Sequence, residues 1–399
     1  MARLRTLDDI DPAGQTALVR VDFNVPIHEG RVTDTARIDR ASRTVAELAG
    51  KGARVVLLSH FGRPKGEVVP ELSLAPVMGP LRAALGDVTV RYAESCIGAD
   101  ADAAVADLKP GEVALLENVR FHPGEEKGDP AFADALAKLG DIYVGDAFSA
   151  AHRAHASVAG LAERLPAVAG RLMQAELEHL EAALENPARP LMAIVGGAKV
   201  STKIDLLTNL SKKVDVLAIG GGMANTFLHA VGHDVGASLY ERDAADTARA
   251  IMDRARTNGC QIVLPADAVV ADRLARDAET EVVSVEAIPS DKMIADVGPE
   301  TALDLARRLE SCASLVWNGP LGAFETPPFD AATVQVARKA AELTRAGRLL
   351  SIAGGGDTVA ALTHAGVTEG FSYVSAAGGA FLEWLEGREL PGVTPLLAS

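Results

Sequence analysis

Two lysines four residues apart follow a glycine turn in GGAKVSTKI, Gly196 to Ile204, which in turn follows the apolar run Leu191 to Val195. If a helix starts here, Lys199 and Lys203 share one face beside its N-terminus, where unpaired backbone N–H groups and the helix dipole favour an anion. Lysines at that spacing also describe an ordinary solvated face. The pair gains meaning from the rest of the chain.

The first half carries a second set of residues just after short apolar runs: Arg20, Asp22 and Asn24 in RVDFNVP, His60 and Arg63 in SHFGRP, Arg120 in LENVRF, and His152 and Arg153 in DAFSAAHRAH. Arg37 follows in the first predicted helix. Guanidinium forks match carboxylate and phosphate bidentately, so five arginines near strand ends point to a small polyanion, although each one alone would also suit a surface salt bridge. The chain as a whole is acidic, with 39 Lys and Arg against 54 Asp and Glu and a net charge of −15. That balance argues against nucleic acid as a partner and makes any anion site local.

The second half carries glycine clusters instead: GGAK from Gly196, GGGMAN with Gly220 and Gly221, NGPLGAFE with Asn318, Gly322, Ala323 and Glu325, GGGDT from Gly354 through Gly355, Gly356, Asp357 and Thr358, and AAGGA with Gly378. Several such loops along one sheet edge outline a nucleotide cleft, because glycine lets backbone N–H groups approach a phosphate or a base closely; tight βα turns need the same glycines. Asp357 suits either a hard carboxylate ligand for Mg²⁺ or a helix N-cap. Neither GxxxxGK[ST] nor a complete GxGxxG occurs, and GxSxG is absent too. These absences argue against a P-loop, a standard dinucleotide site and a serine elbow. His229 and His233 have metal-ligand spacing without further ligands nearby.

What positions these residues is a repeated βα pattern. Runs at Thr16 to Val21, Arg54 to Leu58, Val88 to Tyr92, Glu112 to Leu116 and Ile142 to Val144 alternate with Ala/Leu/Arg-rich helical stretches. The scheme recurs at Leu191 to Val195, Val214 to Ile219, Gln261 to Leu264, Ser314 to Trp317, Leu349 to Ile352 and Phe371 to Val374. Parallel α/β sheets are expected, with ligands beyond the carboxyl ends of their strands. A length of 399 residues favours two domains, and VAGRLMQAELEHLEAAL, Val168 to Leu184, has the helical spacing of a connector. Three dispersed cysteines and an N-terminus without an apolar signal segment read as a reduced, cytoplasmic protein, and no apolar run of membrane-spanning length appears.

Taken in order, RVDFNVP, TARI, SHFGRP, LENVRF, DAFSAAHRAH, GGAKVSTKI, GGGMANTFL, WNGPLGAFE and GGGDT resemble the motifs of the phosphoglycerate kinase family. The resemblance implies an α/β fold of two Rossmann-like, doubly wound parallel-sheet domains: an N-domain over residues 1–167, a connector helix over 168–185, a nucleotide domain over 186–376, and a C-terminal segment, 377–399, whose helix returns to the N-domain. It implies reversible phosphoryl transfer between 1,3-bisphosphoglycerate and ADP, giving 3-phosphoglycerate and ATP, after hinge closure, by a monomer using Mg²⁺.

Carried over by motif, Arg20, Asp22, Asn24, His60, Arg63, Arg120, His152 and Arg153 would hold the phosphoglycerate, with Arg37 aimed at the transferring group. Lys199, Lys203, Gly355 and Gly378 would serve that group from the other side. Gly196, Gly220, Gly221, Asn318, Gly322, Ala323, Glu325, Gly354, Gly356 and Thr358 would form the nucleotide site, with Asp357 as the metal ligand. The chain departs from the common pattern at Phe61, Ser149, Thr202, Ala376, Ala377 and Phe381. Phe61 and Ser149, the latter where glycine is usual, read as packing changes, and the changes at Ala376, Ala377 and Phe381 suggest a stiffer hinge.

Overall fold

A computed structural model describes residues 3–375 and 377–398; Ala376 lies outside them. The chain divides into two compact units, Met1–Leu177 with Glu389–Ser399, and Glu178–Arg388.

In the first unit the apolar runs become β1 (Thr16–Arg20), β2 (Arg54–Leu58), β3 (Val90–Ala93), β4 (Val113–Leu116), β5 (Ile142–Gly145) and β6 (Ala167–Ala169). They form one sheet in the order β3-β4-β2-β1-β5-β6, parallel at every pairing. All five residues of β1 are buried, as expected of a strand covered on both faces. Helix α1 (Ala36–Gly50) buries Ile38, Val45 and Leu48 against this sheet and leaves Arg37 at its second position. Crossovers leave β1 and β5 in opposite directions, so the space beyond their carboxyl ends is the topological switch point.

The connector, α2 (Arg171–Leu184), starts three residues later than the sequence suggests, because Val168 and Ala169 pair in β6. Three-residue strands have no periodicity to read. Gly170 separates the two elements where a Cβ would lie 2.3 Å from Asp146 Oδ1. That oxygen accepts the N–H groups of Leu172 at 2.8 Å and Met173 at 3.2 Å, capping the helix from within the core. Burial pushes the Asp146 carboxyl up to about 7 despite these bonds. The boundary between the units falls inside α2, at Leu177, and not at its ends.

The second unit repeats the plan with β7 (Leu191–Val195), β8 (Val216–Ile219), β9 (Gln261–Val263), β13 (Ser314–Asn318), β14 (Leu350–Gly354) and β15 (Tyr373–Ser375), all parallel, in the order β9-β8-β7-β13-β14-β15. Its switch point lies between β7 and β13. An unexpected antiparallel sheet, β11-β10-β12, joins β10 (Asp267–Ala271), β11 (Glu281–Ser284) and β12 (Met293–Val297). The helices that bear on the site are α3 (Ile204–Lys213), α4 (Gly221–Ala230), α5 (Ala331–Arg345), α6 (Gly356–His364) and α7 (Gly378–Leu385).

Helix α7 belongs to the second unit, contrary to the expectation that the last helix returns to the first. Phe381 explains why: it is fully buried, and a Cβ on Gly354 at the end of β14 would sit 2.6 Å from its ring. What lies in the first unit is the tail Glu389–Ser399 with one 3-10 turn, Thr394–Leu396, held by Arg5 N–H to Leu396 O and Gly392 N–H to Ala151 O, both at 2.8 Å. Among the described residues no helix is long and apolar enough to cross a membrane.

Candidate active site

At the first switch point β1 ends on Arg20, which is 1% exposed. Its Nε donates to Ser157 Oγ at 2.9 Å and a terminal N–H donates to His60 Nδ1 at 3.1 Å. A guanidinium cannot accept, so His60 carries its hydrogen on Nε2. Burial, and then the charges of Arg20, Arg120, Arg153 and Arg37, hold the His60 pKa well below its ordinary value. Four guanidiniums therefore surround one neutral imidazole donor, an arrangement that a polyanion would complete.

The loops carrying these groups are tied together. Asn118 Oδ1 accepts from Phe61 N–H at 3.2 Å and Arg120 N–H at 3.1 Å, while its Nδ2 donates to Phe61 O at 2.7 Å. Arg120 donates to Gly62 O at 2.7 Å and pairs with Glu126 at 3.2 Å; burial lowers its pKa. Asn24 Oδ1 accepts from Gly62 N–H at 3.0 Å. Arg153 Nε donates to His152 Nε2 at 3.2 Å. Arg63 is exposed and makes no hydrogen bond or ion pair with the described residues.

Two supports, Ser157 under Arg20 and Glu125 behind it, escape sequence reasoning. Glu125, fully buried, accepts both Ser157 N–H at 2.8 Å and Ser157 Oγ–H at 2.6 Å, and so fixes the hydroxyl that holds Arg20. Burial raises the Glu125 pKa, yet His155, Arg20 and Ser157 keep it below the usual carboxylate value. In HPGEEKG this residue looks like one more charge on a surface turn, and only the fold turns it inward.

At the second switch point the lysines depart from expectation. Lys199 precedes a 3-10 turn, Val200–Thr202, and α3 begins only at Ile204, so Lys199 and Lys203 share no helical face. Thr202 Oγ–H donates to Lys199 O at 2.9 Å, which closes that turn. Lys199 is exposed, whereas Lys203 is drawn in: its Nζ donates to Gly196 O at 2.6 Å and to Asn318 Oδ1 at 2.7 Å. Burial pushes its pKa down to about 8, with Asp357 pulling the other way. Residues at the ends of β7 and β13 thus converge on one ammonium.

Asn318 Nδ2 continues to Gly354 O at 2.7 Å. Thr358, 1% exposed, donates to Gly354 O at 2.8 Å and accepts from Gly319 N–H at 2.7 Å. Its hydroxyl is therefore committed to joining loops and is not presented to a ligand, contrary to expectation. Gly355, at φ +98°, is the α6 N-cap, so Asp357 is not; the exposed Asp357 carboxylate accepts no hydrogen bond from the described residues. A Cβ on Gly378 would lie 4.0 Å from Gly356 N, so the N-termini of α6 and α7 meet.

Beside them a cavity of about 250 Å³ is lined by Gly221, Gly322, Ala323, Glu325 and Asp357, as expected, together with Asn225, Leu239, Leu274 and the inner residues of β12. Gly196 and Gly220 do not line it; a Cβ on Gly196 would fall 1.8 Å from Pro320 O, so that glycine lets two loops cross. Asp296 lies behind Gly322, whose absent Cβ would sit 2.1 Å from its Oδ1. Burial pushes Asp296 up to about 8 while it accepts Ala332 N–H at 3.0 Å at the head of α5.

Comparison with known proteins matches the chain nearly end to end. The family model described as phosphoglycerate kinase matches residues 7–388. A phosphoglycerate kinase of Methylorubrum extorquens is 61% identical over 399 residues, covering 100% of both chains, and one of Agrobacterium fabrum is 60% identical over 397 residues, covering 99% of each. The solved phosphoglycerate kinase of Coxiella burnetii superimposes with a TM-score of 0.91 at 42% identity over 99% of both chains, and that of Pyrococcus horikoshii with 0.80 at 30% identity over 98% of both. Matched along nearly its whole length in sequence and in fold, the chain belongs to the phosphoglycerate kinase family.

Proposed function

We propose that this chain transfers a phosphoryl group reversibly between 1,3-bisphosphoglycerate and ADP, giving 3-phosphoglycerate and ATP, with a carboxyl group as acceptor. The observation that carries the reading is the pair of unlike half-sites at the two sheet switch points, four guanidiniums about His60 in one unit and Lys203 with glycine loops and a cavity in the other. Phosphoryl transfer asks mainly for in-line positioning and positive charge on the equatorial oxygens, and it needs no covalent nucleophile.

His60, Arg63, Arg120, His152 and Arg153 bind the acid and its phosphate, with Arg20 supporting them from beneath His60, and Asp22 and Asn24 bind its hydroxyl side. Arg37, Lys199, Lys203 and the helix termini at Gly355 and Gly378 face the moving group. The base lies against Gly221, Gly322 and Ala323, with Glu325 at the ribose. The half-sites are on separate units, and transfer between their ligands needs water excluded. Asp357 is the residue that would hold Mg²⁺. Its open carboxylate fits an ion that takes its other ligands from phosphates and water, and no cluster of three ligating side chains occurs among the described residues. When bound, the ion neutralises nucleotide phosphate charge. The reading includes a cytoplasmic monomer.

The test is to incubate the chain with 3-phosphoglycerate and Mg-ATP and follow 1,3-bisphosphoglycerate through an NADH-consuming dehydrogenase. NADH loss that needs both substrates is expected; none with all components present would overturn the proposal.

A further inference from the structure

Ser149 stands where the family pattern has glycine, and its expected part was that of a packing change. The structure gives it a polar one. It occupies the 3-10 turn Phe148–Ala150 beyond β5, between two buried neighbours, with no positive φ that would call for glycine. Its hydroxyl donates to Asp22 Oδ2 at 2.5 Å.

The same Oδ2 accepts from Arg37, while Oδ1 accepts Asn24 N–H at 3.0 Å. A carboxylate oxygen offers two lone-pair sites, so Oδ2 is filled and Oδ1 keeps one open. The terminal torsion of an aspartate is broad, so a carboxylate held by one flexible arginine and one amide could rock about it. A third donor, from a separate loop, fixes the plane of the carboxylate about that torsion. It thereby fixes where the remaining acceptor points.

We infer that Ser149 is a positioning residue for the phosphoglycerate half-site: it locks Asp22 so that Arg37 is held on one oxygen and the open acceptor on the other meets the hydroxyl hydrogen of the bound acid. This rests on the function proposed above and narrows it to one hydroxyl-reading group. A hydrogen bond to a charged partner sets the scale of the effect.

Calorimetry on the full chain tests it, with 3-phosphoglycerate, with its analogue lacking the hydroxyl, 3-phosphooxypropanoate, and with Mg-ADP. Ser149→Ala should weaken 3-phosphoglycerate binding about 5-fold or more. Binding of the deoxy analogue and of Mg-ADP should not change, nor should the melting temperature. Ser149→Thr, which keeps the hydroxyl, should restore binding. Equal 3-phosphoglycerate affinity in wild type and Ser149→Ala would overturn the inference, as would an equal loss for the deoxy analogue or a threonine variant that behaves like alanine. A wild-type chain that binds Mg-ADP but no 3-phosphoglycerate would overturn the functional reading itself, and this inference with it.

Discussion

Arg37→Ala is expected to lower kcat roughly 1,000-fold or more, the scale on which a transition-state arginine acts in phosphoryl transfer. Arg37 sits at the second position of α1, and its side chain is 37% exposed although paired with Asp22, so part of its fork remains available to a ligand. An arginine committed to structure would be buried and bonded within the fold, as Arg20 is. Steady-state kinetics in both directions measure the effect. A variant with normal kcat and only a raised KM for 3-phosphoglycerate would make Arg37 a ground-state binding group.

Lys203→Ala should cost roughly 100-fold or more in kcat, as expected for removing a preorganised charge that acts on the transition state. In the free chain the ammonium is held by Gly196 O and Asn318 Oδ1 and half-buried, which is why its pKa falls to about 8. The charged form is the useful one, so kcat/KM for the nucleotide should be full below about pH 8 and fall as pH rises through that value. Lys203→Ala should lack this limb. A wild-type profile flat to pH 10, with near-normal turnover in the variant, would remove Lys203 from the chemistry.

Most of the main strands were legible because a buried parallel strand is a short apolar run between polar turns. Leu191 to Val195 and Arg54 to Leu58 match their strands residue for residue. The antiparallel sheet was not legible: β11 is mostly exposed and the β10–β12 register shifts at Val269, so neither shows a continuous apolar signal. The inward turn of Glu125 is likewise tertiary, since nothing local to HPGEEKG distinguishes it from Glu126 beside it. At the site, motif position identified Arg20, His60, Lys203 and Asn318 as polar groups at strand ends, and the structure brings them together in two clusters. It failed for Thr358, whose hydroxyl the loops consume, and for Lys199 and Lys203 as a helical pair, because a 3-10 turn intervenes. Ser149 was visible only as a departure; its meaning depends on Asp22, 127 positions away.

Hydrogen exchange of the full chain with each substrate separately tests the central claim, that each unit takes one substrate, most directly. With 3-phosphoglycerate alone, protection should appear in the segments around residues 20–24, 59–63, 118–122 and 149–153, and with Mg-ADP alone around 196–203, 219–225, 318–325 and 354–358. Protection of both sets by either ligand at one binding stoichiometry, or of the first set by the nucleotide, would contradict the assignment.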